Sequence, residues 1–339
     1  MRSPQDLPSD IRNALLTKHD LITSADCRAL GVSHDRVERL VRNEMLAVLA
    51  RGVYADGPAS AALPPWPRFA VRSRAFVLAS PIGAVAADWS AVAPHRLPVG
   101  WPPPAVPSVI RQGSRASGSN RTCHGRTRFA AVADRWIACV DDTRAVLPAI
   151  AAVDLFRNCD PLTALILADA VARLDKSNDL LVRAWQDMRR WPGINRARWA
   201  IEHCDPDAQT PLESAGRLAF IRAGLPVPAS NVWVGENGPR FRLDHYWAEE
   251  RLAAEGDGIS KYLIDSDPSR ALQQEKDREW WLHSKGIRVI RYTWKLAVGS
   301  PHALADRFRI LLTEPKLPTS GELRFWTAQE GAEILGLQR

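Results

Sequence analysis

Four carboxylates in the C-terminal third of the chain could act together. Asp244, Glu255 and Asp257 lie in RFRLDHYWAEERLAAEGDG, which begins at Arg240, and Glu213 lies upstream in TPLESAGRLAFIRAGL. Glu255 and Asp257 are spaced i, i+2, so in a strand they point to one face. Apolar strand runs normally keep carboxylates out, because burying unpaired charge is costly. Acids on two adjacent strands therefore suggest a divalent metal site. Mg2+ or Mn2+ prefers oxygen ligands and keeps several waters, so two or three carboxylates suffice, here Glu213, Asp244 and Glu255. The chemistry such a site supports is phosphodiester hydrolysis, in which the cation stabilises charge at phosphorus and activates a water. Each acid has a structural alternative as well. Glu213 stands at the T-x-x-E capping-box spacing from Thr210. Asp244 could serve a salt bridge, and Glu255 with Asp257 could mark a strand end and an Asp-Gly turn.

The elements that would position these acids follow an α/β order from Thr210 onward. TPLESAGRLAFIRAGL is a capped helix stopped by Gly224, and strands follow at SNVWVG, RFRLDHYW and RLAAEGD. RALQQEKDREWWLHSKG is a helix ending at Gly286, IRVIRYTW a strand and HALADRFRILL a helix; residues 314–339 are Pro-interrupted, then helical. On the helix before Gly286, Lys276, Asp277 and Arg278 read as a solvated face. Trp280 and Trp281 read as the residues that pack this helix on the sheet.

The order helix, three strands, helix, strand, with TPLESAGRLAFIRAGLP, FRLDHYWAEERLAAEGDG and KDREWWLHSKGIRVIRYTW as the matching words, resembles the PD-(D/E)XK nuclease superfamily. Within it the match is to the very-short-patch-repair-like endonuclease domains, over residues 210–312. The resemblance implies a restriction-endonuclease-like domain with a mixed central sheet, using Mg2+ (or Mn2+). Glu213 would be its helix acid, Asp244 the metal-binding acid and Glu255 the second acid. It departs from the pattern at Asp257, which replaces the superfamily Lys, and at Gly256, where a bulky residue is usual. The His common after the next Gly is also missing; Ile259, Ser260, Lys261 and Tyr262 stand there, and Lys261 could supply the cation.

At the other end, residues 10–57 read as three helices and a small hairpin. Thr23 or Ser24 caps the second helix, Gly31 ends it, Ser33 caps the third, and AVLARGVYADG alternates around Arg51–Gly52. This is the pattern of a winged helix-turn-helix, whose third helix fits the DNA major groove. Ser33, His34, Arg36, Arg39 and Arg42 are the candidate DNA contacts on that helix, with Arg51 on the wing; a protein-interaction module with an Arg-rich face is the alternative. With RGVYA intact at 51–55, the first 60 residues resemble the N-terminal domain of AbiEi-type antitoxins. That resemblance implies a DNA-binding autorepressor partnered by a nucleotidyltransferase toxin. RWIACVDDTRAVLPAIAAVDLFR, in the middle of the chain, resembles the family's strand-then-helix segment more loosely.

Charge sharpens the reading. Residues 1–130 hold 17 Lys and Arg against 9 Asp and Glu, and the remainder 28 against 29, so the first part accounts for the whole net charge of +7. A basic N-terminal region points to nucleic acid, and an Arg preference on ordinary solvated faces is the alternative. The stretch IRQGSRASGSNRTCHGRTRF carries Arg111, Arg115, Arg121, Arg126, Arg128 and His124 without an acid. It reads as an exposed hairpin able to lie on phosphates, or simply solvated. Cys123 beside His124 has no evident base and is not read as a catalytic pair. The five cysteines show no CxxC spacing, which points to a reduced cytoplasmic setting without a zinc site. No run approaches a membrane span, and the first residues show no apolar signal core.

The expected architecture is multidomain α+β and α/β. It comprises a winged helix-turn-helix at 1–60, a loop-rich then helical middle domain at 61–205, a nuclease-like domain at 206–315 and a tail at 316–339. The middle domain is expected to hold strands at SVIRQ and RWIACV and helices from 142 to 201. The expected function is a DNA-binding protein with a nuclease-fold C-terminus, with a homodimer as a possible assembly. Either it is a Mg2+-dependent endodeoxyribonuclease in phage defence or a toxin–antitoxin setting, or it is a non-catalytic antitoxin or autorepressor whose nuclease fold only binds.

Overall fold

A computed structural model describes residues 7–112, 119–257, 268–319 and 321–337, with the backbone alone for 268–272. Lys261 and Arg115 lie outside the described residues. The chain is a multidomain α+β protein with mixed sheets. It divides into two compact units: Met1–Leu97 with Trp101–Asn158 and Arg183–Ala197, and Pro98–Gly100 with Cys159–Val182 and Arg198–Arg339.

The first unit opens with α1 (Ser9–Thr17), β1 (Ile22–Thr23), α2 (Ser24–Ala29), α3 (His34–Arg42), β2 (Leu46–Ala50) and β3 (Val53–Asp56). Local chemistry accounts for these boundaries. Thr23 and Asp26 form a reciprocal capping box on α2, and the Ser33 hydroxyl accepts the Arg36 N–H at the start of α3. Between them Gly31 takes φ +71°, a left-handed turn that glycine adopts without a Cβ penalty. The three strands make an antiparallel sheet in the order β1-β3-β2. Val37 and Leu40 of α3 pack into a core with Ile11, Leu15, Ile22, Cys27, Leu46 and Tyr54.

The rest of this unit contains α4 (Gly57–Ala62), α5 (Pro65–Ala79), β4 (Ala84–Ala86), α6 (Trp89–Val92), β5 (Ser108–Arg111), β6 (Ser119–Arg121), β7 (Arg126–Phe129), β8 (Ile137–Val140), β9 (Thr143–Val146) and α7 (Pro148–Phe156). The stretch expected to be loop-rich thus holds a 15-residue helix and a mixed six-stranded sheet, order β6-β7-β5-β4-β9-β8. Strands of three or four residues are too short to display a period of two, which is why the pattern reads as ragged. Arg128 also departs from expectation. It does not face solvent but pairs with the buried Asp154, one bond at 3.0 Å and a second, shorter one, with Asp88 3.4 Å away.

The remaining elements are α8 (Pro161–Asp175), α9 (Asp179–Asp187), α10 (Ala197–His203), α11 (Pro211–Arg222), β10 (Ala229–Gly235), β11 (Phe241–Trp247), β12 (Leu252–Gly256), α12 (Pro268–Ser284), β13 (Arg288–Tyr292), α13 (Trp294–Gly299), α14 (Pro301–Thr313), β14 (Arg324–Trp326) and α15 (Ala328–Ile334). In the second unit the sheet order is β13-β12-β11-β10-β14, with β12–β13 parallel and the other pairs antiparallel. The segment after residue 315 therefore contributes an edge strand. One face packs Trp247, Leu252, Ala254 and Tyr292 against Phe220, Leu304 and Phe308 of α11 and α14. The other packs Val232, Val234, Leu243 and Ala253 against Trp281 and Leu282 of α12. Trp280, expected to pack with Trp281, is 73% exposed; successive helix residues point about 100° apart, so only one of the pair can face the sheet.

A buried ion pair ties α11 to α8. Arg217 donates to Asp169 at 2.5 Å and to the His203 carbonyl at 2.6 Å, and Asp169 also accepts from Ser214 Oγ at 2.6 Å and the Asp205 N–H at 2.8 Å. Burial pushes the Asp169 carboxyl up to about 6 although Arg217 and its other donors pull it down. Removing one partner of such a pair leaves an uncompensated charge. Arg217→Met is expected to lower stability by about 3–5 kcal/mol, measured by urea denaturation at pH 7; a loss below about 1 kcal/mol, the range of an exposed pair, would show that the pair does not hold α11 in place.

Candidate functional site

The four acids do not converge as one set. Glu213 lies in the first turn of α11 and is 4% exposed. Thr210 caps this helix by accepting the Glu213 N–H, but the return bond is not the capping-box one. The Glu213 carboxylate accepts the Thr210 hydroxyl at 2.9 Å on Oε1, and on Oε2 the Gln209 N–H at 2.8 Å and Asn231 Nδ2 at 2.7 Å. Glu213 is thus both a helix-end residue and a bridge to β10.

Asp244 lies at a change of face in β11. The β10–β11 register runs through Val232–Leu243 and Ser230–His245, which sets Asn231 opposite Asp244 between them without a ladder pair. Asn231 takes φ +52°, a conformation Asn tolerates better than other non-glycine residues. Leu243 faces α12, whereas His245, two residues on, meets the rings of Phe220 and Tyr292 on the opposite face. At this irregularity Asp244 Oδ2 accepts the Gly256 N–H at 2.9 Å, so a side chain takes a place that a ladder carbonyl would otherwise fill.

Gly256 explains one departure from the nuclease pattern. A Cβ there would lie 2.9 Å from Leu212 Cγ and 3.6 Å from Tyr292 Oη. A Cβ on Gly216 of α11 would run into the Tyr292 hydroxyl. The two glycines form a slot that seats Tyr292, whose Oη is 2.9 Å from His245 Nε2. Burial holds His245 down to about 3, with Arg217 adding to the effect, so its imidazole is neutral. Burial raises Tyr292 well above its ordinary range, and the charges of Asp244 and Glu213 raise it further.

Glu255 takes the other face. It alternates with Ala254 and Gly256, which face α11, and shares the α12 side with Ala253. There both of its oxygens are taken by Arg278, Oε2 at 2.9 Å and Oε1 in a shorter bond. Arg278 also reaches Glu275 at 3.2 Å and the Arg242 carbonyl at 3.0 Å. The expectation that Arg278 belongs to a solvated face therefore does not hold; the pattern of charges on α12 could not reveal a partner on a strand 23 residues earlier. Asp257 is half-buried, its N–H donating to the Tyr292 carbonyl at 2.8 Å.

Asp244 with Glu255 is accordingly a poor fit for the metal that the resemblance implies, since a bidentate guanidinium already neutralises Glu255. On the α11 side Asn231 stands beside Glu213. Asn231 is fully buried, its Nδ2 is committed to Glu213 and to the Asp207 carbonyl at 2.7 Å, and among the described residues its Oδ1 has no partner. Among the described residues no three His, Cys, Asp or Glu side chains are grouped to hold a metal. Sequence spacing could not single out Asn231, because an Asn in a strand carries no period; its left-handed backbone is visible only in the fold.

The basic helix is simpler. Ser33, His34, Arg36, Arg39 and Arg42 are all exposed, as is Arg51 at the β2–β3 turn. His34 lies 3.3 Å from Glu38, while Arg36, Arg39, Arg42 and Arg51 have no ion-pair partner among the described residues. No helix among the described residues is long and apolar enough to cross a membrane.

No family model matches the chain. Two uncharacterized Mycobacterium tuberculosis proteins, MT2308 of strain CDC 1551 / Oshkosh and Rv2248 of strain H37Rv, are 33% identical over 117 residues, which is 34% of this chain and 43% of each relative. The match thus spans less than half the length of these curated relatives. The crystal structure of the RV2827C protein from the same species is similar at a TM-score of 0.38 and 16% identity, covering 57% of this chain and 75% of that one.

The Glu213 carboxyl is raised by burial and then by the nearby charge of Asp244. A carboxyl whose folded value lies above its unfolded one binds more protons when folded, so its contribution is complete below the unfolded value and lost as pH rises through the folded one. Glu213→Gln, which removes the charge, is expected to raise the melting temperature at pH 7 and flatten its decline above about pH 4.5, measured by thermal denaturation from pH 4 to 8 without divalent ions. A variant that melts lower at pH 7 with an unchanged pH profile would mean that Glu213 is a stabilising cap only.

Proposed function

We propose that this protein binds DNA through α3 and the β2–β3 turn, used as the recognition helix and wing of a winged helix-turn-helix. The observation that carries this reading is the row of arginines on the exposed face of α3, without ion-pair partners among the described residues, with Arg51 at the hairpin tip. The element order and the sheet order β1-β3-β2 support it, as does the excess of basic residues in the first 130. Side chains at the start of α3, Ser33, His34 and Arg36, would reach base edges, and Arg39, Arg42 and Arg51 would meet phosphates.

A second reading concerns the second unit, which would be a restriction-endonuclease-like domain that hydrolyses DNA with a divalent cation. The observation favouring it is the pair Glu213 and Asp244 on one side of a mixed sheet, with a buried oxygen of Asn231 unpaired beside them among the described residues. A bound Mg2+ would supply charge stabilisation at phosphorus and a more acidic water. The protein's own residues would place the carboxylates and close the site from beneath with Tyr292 and the neutral His245.

Fluorescence anisotropy with duplex DNA across a salt series tests the first reading. Arg36→Ala is expected to weaken binding and relax sequence preference, and Arg39→Ala to weaken binding and lower the slope of log K against log salt by about one unit. Unchanged affinity and slope in both variants would remove α3 as the DNA-binding element. Nicking of supercoiled and mismatched DNA with Mg2+ or Mn2+ tests the second: activity should be abolished in Asp244→Asn, and cleavage that survives this change would place the chemistry elsewhere.

A further inference from the structure

We infer that the β6–β7 hairpin of the first unit is a second DNA contact, at which Arg121 and Arg126 hold phosphates of the duplex backbone. The inference goes beyond α3 and the β2–β3 turn to a different surface, and it rests on the reading of the first unit as a DNA binder.

Three observations converge. The first is a like-charge pair. β6 is an edge strand of the six-stranded sheet, and its antiparallel register with β7 sets Arg121 directly opposite Arg126. Residues so paired project to one face with Cβ atoms about 5 Å apart, and like charges there repel. Both residues are exposed, and neither has an ion-pair partner among the described residues. Arg128, two residues from Arg126 on the same face, differs in that Asp154 and Asp88 neutralise it. No Asp or Glu stands between Asp88 and Asp134 in the sequence, so the hairpin has no acid of its own. A polyanion would relieve the repulsion that the protein leaves standing.

The second is how the hairpin is held. The Thr122 N–H donates to the Gly125 carbonyl at 2.8 Å, and Thr122 Oγ1 accepts the N–H groups of His124 at 3.3 Å and Gly125 at 3.2 Å. These bonds close the turn on itself. A Cβ on Gly125 would run into the Phe76 ring, so the turn lies directly on α5. Phe76 belongs to the same core as Ala50 and Val53, which flank Arg51 and Gly52 at the β2–β3 turn. One helix thus backs both the β2–β3 turn and the basic hairpin. The third is composition: residues 119–126 include no Phe, Tyr or Trp. Single-stranded nucleic acid is held by bases stacked on aromatic side chains. Guanidinium groups alone suit phosphate oxygens, which they meet with paired N–H bonds. The surface therefore fits the backbone of a duplex, where contacts position a protein without reading sequence.

Fluorescence anisotropy of the full chain on a random-sequence duplex, in a salt series without divalent cations, tests the inference. Arg121→Gln combined with Arg126→Gln should lower the slope of log K against log salt by about two units. The double variant should melt no lower than the wild type, because a repulsive pair has been removed. A tethered cleavage reagent gives an independent readout. Cys123 in the hairpin turn and Cys139 in β8 are both exposed and lie toward opposite edges of the sheet, which are about 24 Å apart across six strands. Iron–EDTA attached to Cys123 in the Cys139→Ser chain should cut the DNA, and the same reagent on Cys139 in the Cys123→Ser chain should not. An unchanged slope in the double variant, or equal cutting from both thiols, overturns the inference, as does a wild-type chain that binds no duplex. A lower slope in Arg39→Ala alone removes the hairpin and keeps α3; a lower slope in the double variant alone keeps the hairpin and removes α3.

Discussion

The second unit depends on holding the Glu213 carboxylate, buried, beside Asp244. Two like charges in a setting of low polarity repel, and neither is fully hydrated. The fold offsets this with donors aimed at each: Thr210, Gln209 and Asn231 at Glu213, and the Gly256 N–H at Asp244. That arrangement requires α11 to lie close on the sheet. Gly216 and Gly256 permit the approach, Tyr292 fills the slot between them, and Arg217 with Asp169 anchors the same helix to α8. A larger residue at either glycine would push α11 away and move Glu213 with it.

The change of face in β11 gives the sheet two separate electrostatic settings. On the α12 side Glu255 is neutralised by Arg278, within a network that continues through Glu275 to Arg291 and on to Glu279. On the α11 side Glu213 accepts from Asn231 and Asp244 accepts the Gly256 N–H, while His245 and Tyr292 pair with each other. One side of the sheet is therefore compensated from within.

The first unit divides its arginines in the same way. Arg128 and Arg157 are drawn inward by Asp154 and serve packing. Arg36, Arg39, Arg42 and Arg51 remain in solvent, where side chains can exchange counterions for phosphates at little cost. Charge counted along the chain cannot separate Arg128 from the exposed arginines, because it lies within the same basic first 130 residues.

Local signals were legible in the sequence. The Thr23, Ser33 and Thr210 caps, the left-handed Gly31, Gly224 and Gly286 and the apolar face of α3 with Val37 and Leu40 are set by interactions within about one helical turn, and they place several of the helices. The exposed face of α3 follows from them directly. What only the tertiary structure decided is which side each acid faces and what meets it there. Glu255 and Asp257 share a parity with each other in sequence, but the irregularity at Asn231 and Asp244 breaks the alternation on the neighbouring strand. Arg278 finds Glu255 across 23 residues. Pairing at that range depends on sheet register and helix docking, which no spacing along the chain encodes.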